Sequence, residues 1–449
     1  MKGAIVESAS GANIEISQLI DQGKLSSLQI TVMVLSALVV WLDGYHIQTM
    51  ALVVPTLSSQ WLLKSSDFKL VLASALIGIA LGGAFIGPLG DRFGRRPLLI
   101  TTMAIVGLAS IGTGYAADMT QLFAWRFLTG LGLGASLTNA TALTSDYVPF
   151  KRRAALVTLM FSGVPIGAFT SGFVASPIIQ AFGWRGMFTI GGVVPLVLCV
   201  VLAAAIPESI KILLARKPDD PRIAKILARL ARGVEAQNIY AKKSEIRRQS
   251  VGELLRDPYT RGTLLLWVVF IFNMFILYLL VNWLPTLLKA EGWSPSHASQ
   301  GTGMIQAGGV FGGIFLSWCV DRGKTVMGMI TAYVVTAVAF GLFAVLSSSG
   351  FFWWMLLFVV GSGISGNQFA LNALSATFYP PLIRATGIGW AASVGRIGAI
   401  LSPIIGGWIL QMNVAPFAVL GGLVIPVVMC GIGVFMFKNI FQPAKMAAG

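Results

Sequence analysis

From Leu28 to Phe437 the chain alternates between long apolar runs and short polar interruptions. About twelve runs reach the roughly 20 residues that the hydrocarbon core of a bilayer demands. They lie at 28–55, 68–89, 98–117, 121–145, 153–178 and 186–206, then at 262–288, 302–320, 326–347, 351–376, 386–410 and 414–437. The pattern predicts an all-α integral membrane protein whose twelve transmembrane helices form two six-helix bundles, 28–206 and 262–437. Polar residues supply the rest: an N-terminal segment 1–27, a linker 207–261 and a tail 438–449.

The linker is the one sizeable polar stretch, and its pattern predicts short surface helices. Asp220-Pro221 reads as an N-cap followed by Pro at the first helical position, and Ile223, Ile226, Leu227 and Leu230 make one apolar stripe. Ser250 and Glu253 are spaced as a capping box before Leu254 and Leu255.

Composition narrows the class. Charged residues make up 11% of the chain, against about a quarter in soluble domains, and 56% is hydrophobic. The net charge of +15 is distributed as a membrane protein distributes it, which argues against nucleic acid as a partner. Arg92, Arg95 and Arg96 fill one turn, and Lys151, Arg152 and Arg153 another. Arg322 and Lys324, Arg384, and Lys438 and Lys445 mark the remaining turns on that side, whereas 56–67 carries only Lys64 and 348–350 no base. The bias places both termini and the linker in the cytoplasm. Cys199, Cys319 and Cys430 all fall in apolar runs and imply no disulfide framework. Met1–Ser27 is polar and lacks the apolar stretch of a cleavable signal peptide.

The halves repeat one another. Asp91-Arg92 follows the second run and Asp321-Arg322 the eighth, an offset of 321 − 91 = 230. Tyr147-x-Pro149-x-x-Arg152 after the fourth run recurs as Tyr379-x-Pro381-x-x-Arg384 after the tenth, at 379 − 147 = 232. Two six-helix units of the same orientation imply a parallel repeat with a site at the bilayer midplane between them.

Charges at membrane depth are costly, about 2.5–3.5 kcal/mol on insertion scales, and mark function or a partner. Asp43 lies in the first run with His46 one turn further along, a spacing that lets both point into one cavity and handle protons. A hydrogen-bonded helix contact is the plain alternative for His46. Arg396, about ten residues into the eleventh run, offers a planar fork for a substrate carboxylate or for a structural partner. Arg126, near the outer end of the fourth, is placed to attract anions, to pair with Asp43, or simply to snorkel. His297, beside Ser294 and Pro295, reads as a solvated loop residue. Flat walls for an aromatic ring are available from Tyr45, Phe161, Trp283, Phe369 and Trp390. Polar contacts are available from Gln48, Asn273, Asn282, Gln306, Asn367, Gln368 and Asn372. Trp390 is favoured because it lies between Arg384 and Arg396. No paired-Cys metal pattern, Walker loop or nucleophile elbow is present, so no enzyme and no cofactor is expected, and an ion gradient must supply the energy.

Gly87-Pro-Leu-Gly-Asp91-Arg92-Phe-Gly94-Arg95-Arg96-Pro97 resembles the signature loop of the major facilitator superfamily, between its second and third spans. Its Asp–Arg cluster at helix ends suits a switch that holds one conformation and breaks in the other. Arg126-Phe-Leu-Thr-Gly130-Leu-Gly132-Leu-Gly134 is similar to the fourth-span motif of that superfamily. A closer resemblance covers nearly the whole chain and is to the aromatic acid:proton symporter family. It rests on Leu42-Asp43-Gly44-Tyr45, Asp146-Tyr147-Val-Pro149, Pro207-Glu208-Ser209, Asn282-Trp283-Leu284-Pro285 and Arg384-Ala-Thr-Gly-Ile-Gly-Trp390 running into Val394-Gly395-Arg396-Ile397-Gly398. The resemblance implies import of benzoate-, hydroxybenzoate- or aryloxyacetate-type carboxylates with protons across a bacterial inner membrane, by a protein working as a monomer. It assigns proton coupling to Asp43. The first-span pattern of that family is Asp-Gly-Phe/Tyr-Asp, and here His46 stands in place of the second acid. Import of a non-aromatic organic acid, for which Arg126 and Arg396 suit a dianion, is the second expectation. A membrane receptor for such acids is the third, and it lacks an added signalling domain.

Overall fold

The computed structural model describes residues 14–22, 25–216, 219–230, 239–240, 251–343, 345, 351–380, 383–412 and 414–440. Its first bundle begins with α1 (Ser27–Gln60), α2 (Lys69–Leu81, prolonged by a π-helical turn at Gly82–Ile86), α3 (Arg95–Gly114) and α4 (Met119–Tyr147). A short helix, Arg153–Phe161, leads into the continuous segment Gly163–Ala205. That segment is two crossings. Val164 packs against Gly44, and Gly191 against Tyr45 and His46 of the same turn of α1. A straight helix would carry residues 164 and 191 about 40 Å apart, so the chain doubles back, and it does so at Gly183, whose φ of 67° favours a residue without a β-carbon. Its arms, 163–182 and 184–205, are α5 and α6.

The second bundle comprises α7 (Thr260–Ala290), α8 (Pro295–Asp321), α9 (Thr325–Phe343), α10 (Phe351–Phe378), α11 (Arg384–Gln411) and α12 (Val424–Ile440), the last preceded by a short helix Pro416–Gly422. Ten stretches are apolar enough to cross a membrane on composition and length, and one of them, Ala155–Ala205, makes two crossings. The twelfth span is α4, long enough at 29 residues but diluted by Arg126, Gly, Ser and Thr.

Helix starts follow local chemistry. The Ser26 hydroxyl accepts from the Gln29 amide while the Gln29 side chain accepts from the Ser26 N–H, a capping box that opens α1. Asp118 caps α4 and Ser294 caps α8. His297 therefore lies in the first turn of α8 and not in a loop; its exposed ring meets Trp293 and Trp354 edge-on. Pro221–Leu230 is a helix, as its sequence predicts, and buries Ile223, Ile226 and Leu227 in the apolar cluster that also holds Ile16 and Ile20 of the N-terminal helix Ile16–Gln22. Asp220 accepts from the Arg222 backbone and pairs with its guanidinium, which raises the Arg222 pKa. Ser250 of the expected capping box lies outside the described residues, as do Pro381 and Lys445. Ile14–Glu15 pairs in parallel with Ile239–Tyr240, a two-residue ladder that the helical pattern does not foreshadow.

The two halves meet closely at the end carrying residues 60–69 and 289–299. Lys289 donates to the Pro55 carbonyl (3.1 Å), and a β-carbon on Gly172 of α5 would lie 2.9 Å from the Ser299 carbonyl oxygen of α8. Gly407 of α11 packs on Lys69 and Ser66 at the start of α2. Small residues let backbones approach in this way. Among the described residues, no hydrogen bond joins the halves at the opposite end, and Asn372 near that end of α10 is exposed. The end so joined is the sealed end; the other, where the described residues show no hydrogen bond between the halves, is termed the open end.

Candidate functional site

Away from helix ends, the described spans hold three formal charges: Asp43, Arg126 and Arg396. Asp43 of α1 is buried and its Oδ1 has no hydrogen-bond partner. It lies within electrostatic reach of Arg396 of α11 and Tyr278 of α7, with no hydrogen bond or salt bridge to either among the described residues. Arg396 makes no hydrogen bond or salt bridge among the described residues. Its Nη1 reaches toward α2, to within 3.4 Å of where a β-carbon on Gly83 would sit, a position Thr138 Oγ1 approaches equally closely. The π-helical turn of α2 lies there, a feature concentrated at functional sites.

His46 does not share that cavity. Its ring is fully buried inside the first bundle, edge-on to Tyr45 and beside Gly191 and Ser110. Neither ring nitrogen forms a hydrogen bond, although the Gly191 backbone lies alongside. A three-residue step turns a helix by 300°, and the 60° difference carries His46 toward α3 and α6. Arg126 does not pair with Asp43 among the described residues. It donates to the His46 carbonyl (2.9 Å) and lies over the Phe188 ring, and its Nε and Nη1 have no partner.

Several wall candidates prove to be packing residues. The Tyr45 hydroxyl donates to the Met187 carbonyl of α6, and Trp283 is buried with its indole N–H on the Pro403 carbonyl. Trp283 therefore fastens α7 to α11. Trp390 shares an exposed stripe with Ile397, Leu401 and Trp408 and meets Trp267. Six residues separate Trp390 from Arg396, a rotation of about 240°, so proximity in sequence does not put them on one face. Phe369 packs on Gly313 of α8.

The polar candidates divide by depth. Gln48 donates to the Val281 carbonyl (3.2 Å) and lies 3.5 Å from Gln306, a bridge between the halves on the sealed side. Asn282 and Asn367 donate to carbonyls one turn back in their own helices, Tyr278 and Gly363. On α10, Gly363 packs on Thr336 of α9, the Ile364 carbonyl accepts from α7, and Gly366 packs on Gly312 of α8. Ser365 packs on Gly309 of α8, whereas Gln368 is half-buried and Asn372, one turn further toward the open end, is exposed. Sequence reading did not single out Tyr278, Thr138, Gly83, Ser365 or Tyr333. Only the Gly82-Gly83 pair, as a break in an apolar run, gave any sign.

The signature loop is assembled at the open end. Arg95 bridges Asp91 (3.1 Å) and Asp146, and donates to the Ala142 carbonyl (2.7 Å). Ser209 and Lys211 also contact Asp146, and Arg216 binds the Asp91 carbonyl. One Glu208 oxygen accepts the backbone N–H groups of Arg95, Arg96 and Ser209 and so caps α3. Gly94 makes the turn at φ 106°, and a β-carbon there would lie 2.4 Å from Glu208 Oε2. Gly90 and Gly87 pack on Asn139 and Thr138 of α4, while Arg92 stays outside over Phe93.

The model of the Major Facilitator Superfamily matches residues 33–403. The chain belongs to that superfamily. It is 35% identical over 442 residues to the 4-hydroxybenzoate transporter PcaK of Pseudomonas putida, covering 96% of this chain and 97% of the relative. It is 32% identical over 404 residues to the gallate transporter of Pseudomonas putida, covering 90% of each. The benzoate transport protein of Acinetobacter baylyi is 30% identical over 446 residues, covering 97% of this chain and 95% of the relative. Among solved structures, a bacterial homologue of the human lysosomal transporter Spinster, inward-facing and unoccupied, superposes with a TM-score of 0.69 at 18% identity. The match covers 92% of this chain and 98% of that one, and it shows the fold.

Proposed function

We propose that this superfamily member is a secondary active transporter that imports an aromatic carboxylate together with protons. The relatives named for 4-hydroxybenzoate, gallate and benzoate support the substrate class. The observation that carries the mechanism is a buried acid of one half, Asp43, with an unpartnered Oδ1 and within electrostatic reach of Arg396 of the other half, the two making no salt bridge among the described residues. While ionised, Asp43 is the counter-ion of Arg396. A proton on Asp43 releases the guanidinium, and the substrate carboxylate takes the vacated place through its two-pronged donor. Proton and substrate are then bound together or not at all.

The energetics agree. A monoanion entering against an inside-negative potential costs about 2.3 kcal/mol per 100 mV, and one accompanying proton cancels that cost. The distribution of basic turns supports a cytoplasmic location for the open end, the linker and both termini, and with it an inward-facing state. The Asp91–Arg95–Asp146 cluster holds the first half rigid as the two bundles rock about the site. The protein works as a monomer in a bacterial inner membrane. Uptake of labelled benzoate, 4-hydroxybenzoate and a non-aromatic acid into proteoliposomes, with and without an inward proton gradient, tests the reading. Gradient-driven accumulation of the aromatic acids is expected; preference for the non-aromatic acid overturns it.

A further inference from the structure

Resting on that reading, we infer that Gln368 presents only hydrogen-bond donors to the substrate and that Asn273 fixes this polarity, so the site selects aromatic acids whose ring bears a hydrogen-bond acceptor. The Ile364 carbonyl can only accept, and it lies 3.3 Å from Nδ2 of the fully buried Asn273. The amide nitrogen of Asn273 therefore faces α10, and Oδ1 faces α9, where the Tyr333 hydroxyl donates to it (3.0 Å). The same Nδ2 meets Gln368 at 2.9 Å, so Gln368 must turn its oxygen inward to accept.

What remains of Gln368 is its –NH2 group. It has no partner among the described residues, and Gln368 stands half-buried on α10, about 140° round the helix from Gly363, which packs on α9, and one turn from the exposed Asn372. Arg396 is at the same depth. Gly395 packs on Phe270 and Met274, and Gly398 on the Ile271 carbonyl, one turn from Asn273 on α7. A ring whose carboxylate is held by Arg396 thus meets a fixed donor on the neighbouring helix. Asn273 touches no substrate; it is a positioning residue.

The test is competition against labelled benzoate uptake in proteoliposomes by 2-, 3- and 4-methoxybenzoate, whose substituent accepts, and by the matching aminobenzoates, whose substituent chiefly donates. Wild type should favour methoxy over amino at one ring position by roughly three- to tenfold, the worth of one neutral hydrogen bond. Gln368→Met should bring that ratio to about one. Asn273→Asp should invert it, because the new carboxylate draws in the Gln368 amide and turns its oxygen to the cleft. Adding Asn273→Asp to Gln368→Met should change nothing further, which a merely structural role for Asn273 would not produce. An unchanged ratio in Gln368→Met overturns the inference even if Asn273→Asp fails to fold. Absence of benzoate uptake by wild type would instead bring down the functional reading beneath it.

Discussion

The two halves share a fold but differ in the chemistry of their central buried polar clusters. In the first, Asp43, His46 and Arg126 are buried with ring, carboxylate and guanidinium atoms left unpartnered. In the second, Asn273 spends its whole amide on Tyr333, Ile364 and Gln368, and none of the three side chains is charged. An unpartnered buried charge is costly, and a satisfied neutral network is rigid. On the proposed function, the first half supplies the groups that change protonation and partners during a cycle, and the Asn273 network of the second a fixed template. Arg396 joins them, a cation of the second half within electrostatic reach of the acid of the first.

The most drastic way to break the contrast is Asp43→Asn. The amide mimics a permanently protonated acid, so accumulation driven by a proton gradient should vanish while counterflow exchange persists. Wild-type accumulation in this variant would remove Asp43 from the coupling step. Next comes Arg396→Lys, which keeps the charge and loses the planar fork. Substrate affinity should fall by about 1.5–3 kcal/mol, roughly 10- to 150-fold. The carboxamide analogue should bind wild type poorly and lose little more; equal losses for acid and amide would make Arg396 structural.

His46→Asp sharpens the comparison by giving the first half a second acid beside Arg126. Its uptake-versus-pH profile should shift while transport survives, and superimposable profiles would assign His46 to packing against Gly191. The smallest effect is expected at Glu208→Ala. It strips three backbone N–H groups of their shared acceptor and should cost about 1 kcal/mol, as lost helix caps do. Thermal unfolding in detergent would register it, and an unchanged midpoint would show that water replaces the carboxylate.

Residues of the repeat were legible without coordinates because they act through position. Tyr147 and Tyr379, 232 apart, are both buried, each with its hydroxyl tied within its own half, to the Glu208 carbonyl and to Thr263. Side-chain direction was not legible to the same degree. Trp390 lies between two arginines in sequence and faces outward; Tyr45 and Trp283, both adjacent to functional motifs, fasten helices together.

By itself the sequence determined the class, the twelve crossings, the break between halves and the three charges at membrane depth, because apolar length and the expense of buried charge are properties of each segment alone. Only the tertiary structure decided which charges meet. Arg126 bonds the His46 backbone and not Asp43, while Asp43 lies within electrostatic reach of an arginine about 350 residues away, since each helix's rotation about its axis is set by packing at glycines such as Gly44, Gly167 and Gly398. The direction of the Gln368 amide was likewise beyond any local pattern: a carbonyl on its own helix fixes it, acting through a side chain from another.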